Sequence, residues 1–307
     1  MTDFIREETV ADHQQNNGVS RRTFLFELAA IGIGTSALAS CARGVSVGAA
    51  SPARASAAGV QLYTVRDLLG KDFEGTLAKV AQLGYRNFEF AGYYTRTPEQ
   101  IRAIIDRLGV QSPSAHIGAQ LLRADAAKEI RSAKVIGQSY ITIPSYNFAR
   151  DGGVAAWKAG AAEFNKWGAM CRDAGIKLGY HNHNAEWAKV DGNTRGMDVL
   201  LGETDPALVD FEIDLYWAVF ADVDPLAEFA KNPGRFAMFH VKDLQMVNGA
   251  KAMAQVGRGT IDFKNIFAHS REAGMKYYFV EHDNAATTGG SMESLQTAIT
   301  TLKQILA

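Results

Sequence analysis

Cysteine is nearly missing from this chain: Cys41 and Cys171 are the two that occur in 307 residues. If Cys41 is removed or modified during export, Cys171 has no partner and no intrachain disulfide can form. The fold must then be held by core burial, which a chain of this length can supply. Charge of one sign is missing too. The 32 Lys and Arg residues nearly cancel the 33 Asp and Glu, for a formal net charge of -1, so there is no electrostatic case for nucleic acid or an anionic membrane as partner. Proline is scarce, at 7 residues against 29 glycines. With 47% hydrophobic and 21% charged residues, the composition is that of an ordinary globular protein. A long apolar run is also lacking. The stretch from Leu28 to Leu38 is interrupted by Gly32, Gly34, Thr35 and Ser36, and is too short for a comfortable membrane span.

That stretch follows SRRTFL, residues 20–25. Paired arginines, a modest apolar region and then small residues describe a twin-arginine export signal, which makes residues 1–58 signal and low-complexity linker and places the mature protein in the periplasm. LASC, ending at Cys41, resembles a bacterial lipobox. The alternative is cleavage further on, within ASPARASAAG. The first reading adds a lipid anchor at Cys41, and the second is ordinary signal cleavage.

From Gly59 to the C-terminus, short apolar runs alternate with amphipathic stretches. The runs GVQLYTV, YRNFEFA, VQSPSAHI, SYITIPS, IKLGYHN, ALVDFEID, RFAMFHV and KYYFVEH read as strands. Stretches such as PEQIRAIIDRLG read as helices closed by glycine, a residue favoured just past a helix end. Strand-helix units repeated through roughly 250 residues specify a (β/α)8 TIM barrel over residues 59–307. A doubly wound open sheet would want a glycine-rich turn after its first strand, where this chain has YTVRD.

Polar groups recur where the apolar runs end: Glu89, His116, His181 and His183, Asp214, His240 with Lys242 and Asp243, and Glu281. Such groups are costly inside a barrel core, whereas at the C-terminal strand ends they converge on the mouth where barrel enzymes react. Asp214, His240 and Glu281, from three consecutive strands, offer oxygen and nitrogen donors without a thiolate. That set suits one divalent ion: Mn²⁺, Mg²⁺, Co²⁺ or Zn²⁺. The fourth ligand is expected from the strand before, in LGYHNHNAEW, where His181 and Glu186 both qualify.

The motifs FEFAG, YHNHNAEW, EIDLYW, FHVKD, VGRGTIDF and VEHD resemble those of the xylose-isomerase-like barrels, a superfamily of sugar isomerases and epimerases that also contains the AP endonucleases. The resemblance runs from Gly59 to the C-terminus. It implies one metal held by side chains of strands five to eight: His181 or Glu186, then Asp214, His240 and Glu281. Many members carry a glutamate where His181 stands. Here His183 is the leading base, with Glu281 as ligand and second acid-base group.

The implied chemistry is carbohydrate isomerisation or epimerisation through an enediolate. A β-elimination that cleaves a 3-keto-glycoside is the first alternative, and a non-catalytic periplasmic sugar-binding barrel is the second. Glu89, His116, Lys242 and Trp187 are expected to bind substrate. Aromatic residues near the strand ends, among them Tyr63 and Tyr146, suit a sugar. Lys242 has a second reading, as partner of Asp243. A nuclease would need a basic DNA-facing surface, which the net charge does not favour. The sequence admits a homo-oligomer.

Overall fold

The computed structural model describes residues 57–148 and 152–306. The stretch expected to be an export signal, Cys41 and the start of the expected linker lie outside the described residues. Among the described residues, no helix is long and apolar enough to cross a membrane.

Eight parallel strands form one sheet: β1 (Gly59–Gln61), β2 (Asn87–Phe90), β3 (Gln111–Ala115), β4 (Tyr140–Ile143), β5 (Lys177–His181), β6 (Val209–Asp214), β7 (Phe236–Val241) and β8 (Tyr277–Val280). Their order is β3-β2-β1-β8-β7-β6-β5-β4. A parallel bridge from His116 to Thr142 joins the two ends. The result is the closed barrel that the alternation of strand and helix predicts.

Helices follow the strands around the outside. They include α1 (Phe73–Leu83), α2 (Pro98–Leu108), α3 (Ala119–Ile136), α4 (Gly153–Asp173), α5 (Gly196–Glu203), α6 (Pro225–Lys231), α7 (Phe263–Ala268) and α8 (Ser291–Ile305). At α2 the Thr97 hydroxyl accepts from Gln100 N, and Gln100 Oε1 accepts from Thr97 N. This reciprocal cap fixes the helix start that Thr97-Pro98 signals. Gly109 closes the same helix at φ 64°, in the left-handed region that a Cβ disfavours.

The strands bury both faces by simple alternation. On β7, Phe239 points outward and stacks on Phe229 of α6, with ring centroids 5.2 Å apart, while Met238 and His240 point inward. On β5, Tyr180 stacks outward on Phe164 of α4 at 5.0 Å, while Gly179 and His181 face the interior. A Cβ at Gly179 would meet Thr142 Oγ1 at 2.6 Å and Met238 Cε at 2.9 Å, so glycine is needed there for the interior to close.

One strand is shorter than its sequence suggests. GVQLYTV stops as a strand at Gln61, and Leu62–Val65 turns into a 3-10 helix. The Gln61 side chain causes the break: its oxygen accepts from Tyr63 N at 3.0 Å, and its amide donates to Glu89 at 2.9 Å.

Candidate metal centre and active site

The inward-facing alternation carries charge into the upper barrel. His240 stands at the centre of it, fully buried. Its Nδ1 lies 2.7 Å from Glu281 Oε2, and its Nε2 lies 2.6 Å from Glu89 Oε2 and 3.0 Å from Glu212 Oε2. Glu212 Oε2 also meets His116 Nε2 at 2.8 Å and His181 Nδ1 at 3.1 Å. Above them Lys242 Nζ touches Asp214 Oδ2 at 2.9 Å, Glu281 Oε2 at 2.8 Å and Asp283 Oδ1 at 3.0 Å.

A cavity of about 580 Å³ opens over this floor, with His116, His181, His183, Lys242, Glu281 and Asp283 on its wall. Such a volume falls in the range of small-ligand sites. Tyr63 stands at its edge, half exposed, with the Arg66 guanidinium 3.9 Å above its ring.

Proton affinities follow from these neighbours. Burial opposes a charge on His240, but the carboxylates of Glu212, Glu281 and Glu89 outweigh it and raise the imidazole well above its ordinary range. A cation taking one of its nitrogens would replace that proton. Burial holds His181 well below its ordinary range, and His240 adds to the effect. Burial also lowers His183, against the pull of Glu186, so His183 faces the cavity as a neutral imidazole able to accept a proton. Burial acts against ionisation of Glu281, yet Lys242 and His240 hold its carboxyl well below the usual range.

Two groups have donor atoms close enough to share an ion: Asp214 with His240 and Glu281, and His116 with His181, Glu212 and His240. Both are nitrogen-oxygen sets without sulfur, which fit a catalytic divalent ion better than a structural zinc. Two buried oxygens in them, Asp214 Oδ2 and Glu212 Oε1, receive no directed hydrogen bond. Lys242 approaches Asp214 Oδ2 as an ion pair only. A buried carboxylate oxygen without a directed hydrogen bond, beside other donor atoms, is where a cation fits.

Most of the residues singled out in the sequence are brought together. Glu89 and His116, which strand order alone sets far from the metal quartet, lie against it: the closed barrel carries Glu89 across to His240 and His116 to Glu212, and of the two only His116 belongs to a donor group. Glu186 is placed elsewhere. Its Oε1 accepts from the Tyr180 hydroxyl at 2.7 Å and its Oε2 from His183 N at 2.9 Å, so its oxygens brace the loop after β5 and it belongs to neither donor group. Trp187 is not on the cavity wall. It packs into the turn Ala185–Trp187 beneath the Arg195 guanidinium, 5.3 Å from its ring.

Lys242 does not pair with Asp243. That carboxylate instead accepts the backbone N–H groups of Leu244, Gly257, Gly259 and Ile261, and so ties the VGRGTIDF loop to the end of β7. Sequence reasoning passed over Glu212 and Asp283. Glu212 could have been found by the strand period, because it lies two residues before Asp214 and therefore on the same inward side.

Comparison with known proteins agrees with this geometry. The family model described as "Xylose isomerase-like TIM barrel" matches residues 77–304. Among curated proteins, an inosose dehydratase of Clostridium perfringens is 25% identical over 237 residues, covering 65% of this chain and 78% of that protein. Among solved structures, a sugar phosphate isomerase/epimerase from Parabacteroides distasonis superposes with a TM-score of 0.69 at 26% identity, covering 83% of this chain and 97% of that one. An IOLI protein with a bound zinc atom shares the fold at a TM-score of 0.64 and 12% identity, covering 81% and 98%. The chain belongs to the xylose isomerase-like TIM barrel family.

Proposed function

We propose that the barrel is a divalent-metal-dependent carbohydrate enzyme that moves a proton on the carbon next to a carbonyl, as an isomerase or epimerase. One observation carries this reading. The His183 imidazole and the Glu281 carboxylate share the wall of one cavity. Next to them stands a buried nitrogen-oxygen donor set with an open carboxylate oxygen.

Asp214, His240 and Glu281 would hold the ion, with His181 as fourth ligand. His181 Nε2 stands 3.7 Å from Asp214 Oδ2, whereas both oxygens of Glu186 are engaged. When bound, a divalent ion polarises a carbonyl oxygen and balances the negative charge that develops on it. His183 accepts the proton from the adjacent carbon and, as its conjugate acid, returns it to the neighbouring carbon, while the Glu281 carboxylate would be the base for the opposite face. Glu89 and Glu212 hold the His240 ring by its Nε2, fixing which nitrogen faces the ion.

A second reading, β-elimination, is favoured by the curated relatives, which are inosose dehydratases. Here the first proton transfer is the same and a leaving group on the next carbon departs. Incubating ketohexoses, inososes and 3-keto-glycosides with the protein in D₂O, followed by NMR, separates the outcomes. Deuterium next to the carbonyl without bond cleavage means isomerase or epimerase, and loss of water or of an aglycone means elimination. Neither result with any of these substrates would leave the non-catalytic sugar-binding barrel.

Export to the periplasm belongs to the same proposal and is supported by the arginine pair at Arg21 and Arg22. Lysine at both positions should retain the protein in the cytoplasmic fraction.

A further inference from the structure

The position of Lys242 at the mouth conflicts with a bound ion. Its side chain is 2% exposed, and its ammonium sits among Asp214, Glu281 and Asp283 at 2.8 to 3.0 Å. Two of these carboxylates, Asp214 and Glu281, belong with His240 to the group that fits a cation. The oxygen of Glu281 that Lys242 touches is the same Oε2 that meets His240 Nδ1. A divalent ion at ordinary ligand distances of about 2.0–2.2 Å from those oxygens would stand beside the ammonium and repel it strongly.

Asp283 differs from the other two. It lies outside the donor group, its side chain is 31% exposed, and it lines the cavity. Its backbone is anchored: Arg66 Nη2 donates to Asp283 O at 2.7 Å, and Asp283 N donates to Met253 Sδ at 3.2 Å. One contact of the ammonium is therefore with a fixed acceptor that an ion would leave untouched.

We propose that Lys242 is the exchangeable counter-ion of the metal centre: its ammonium holds the carboxylates of Asp214 and Glu281 until a divalent ion binds, and is then handed to Asp283 at the cavity wall. The exchange keeps buried carboxylates from facing one another without a cation. It also ties substrate capture to metal loading, because an ammonium released to the wall can meet a substrate oxygen. This inference rests on the reading of Asp214, His240 and Glu281 as the cation set.

The test is titration of Mn²⁺ into the chelator-stripped full chain by calorimetry, with thermal melting of the same samples. Lys242→Met should bind Mn²⁺ about tenfold or more tightly than the unaltered chain. It should melt lower when stripped and gain more from added Mn²⁺. Asp283→Asn removes the receiving carboxylate and should bind Mn²⁺ several-fold more weakly while melting like the unaltered chain when stripped. Unchanged affinity in both variants, or weaker binding by Lys242→Met, would overturn the exchange and leave the metal centre standing. Absence of Mn²⁺ binding in the unaltered chain and both variants would overturn both. Should Lys242→Met not fold, unchanged affinity in Asp283→Asn is sufficient to reject the exchange.

Discussion

The two ends of the barrel each hold a charge cluster, and they differ in completeness. At the N-terminal end, Asp210 on β6 meets Lys177 Nζ at 2.6 Å and the Tyr140 hydroxyl at 2.8 Å, with Lys276 Nζ at 3.5 Å from its second oxygen. Lys276 also donates to the Tyr140 hydroxyl at 2.8 Å. One carboxylate is surrounded by two ammonium groups, both reached by solvent. At the C-terminal end, Glu89, Glu212, Asp214, Glu281 and Asp283 stand against Lys242 and the imidazoles of His116, His181 and His240. Oxygens of Glu212 and Asp214 are left without a directed hydrogen bond. The lower cluster is satisfied and serves stability. The upper one sets five carboxylates against the ammonium of Lys242 and three imidazoles, and is the end that offers donor groups for an ion.

Substitutions should separate the two ends, with the largest effects at the mouth. Glu281→Gln keeps the shape of the side chain but removes the proposed ligand and acid-base group together. It should lower kcat by about 10³ or more on the substrate found by deuterium exchange, with circular dichroism unchanged. His183→Ala should cost about 10²–10⁴ in kcat while the bound metal content stays that of the unaltered chain, since it removes the proposed base and no proposed ligand.

His240→Ala leaves Glu89, Glu212 and Glu281 facing one another without the imidazole between them. A loss of about 3–5 kcal/mol in urea unfolding of the stripped protein is expected, as for a buried charge deprived of its partner. Asp243→Asn weakens the tie of the VGRGTIDF loop and should cost about 1–3 kcal/mol by the same measurement. Asp210→Asn, at the lower end, should cost about 1 kcal/mol, because Lys177 and Lys276 keep access to water. Its turnover should match the unaltered chain. A loss of turnover there comparable to that of His183→Ala would erase the distinction between the two ends.

Much of this contrast is legible in the sequence, because it depends on period and punctuation. Strand ends carrying Asp214, His240 and Glu281 can be read along the chain, and glycines such as Gly109 mark where helices stop. Distances across the barrel cannot be read that way. Glu89 and His240 are 151 residues apart, and only the pairing of β1 with β8 and the curl of the sheet make them neighbours. Loop conformation is equally silent. Glu186 and Trp187 follow β5 at a spacing that could reach the cavity. The Tyr180 hydroxyl and His183 N–H claim the carboxylate, and Arg195 covers the indole. Glu212 was within reach of the strand period, but FEID reads first as the apolar tail of a strand ending in Asp214.

Metal analysis of the purified protein tests the central claim most directly. Elemental analysis should find one equivalent of a divalent ion, lost on treatment with a chelator and regained from Mn²⁺, Co²⁺, Zn²⁺ or Mg²⁺. Deuterium exchange next to the substrate carbonyl should be lost and regained with it. A protein that carries no ion, takes up none of these four and exchanges deuterium at the same rate before and after chelation would contradict the account.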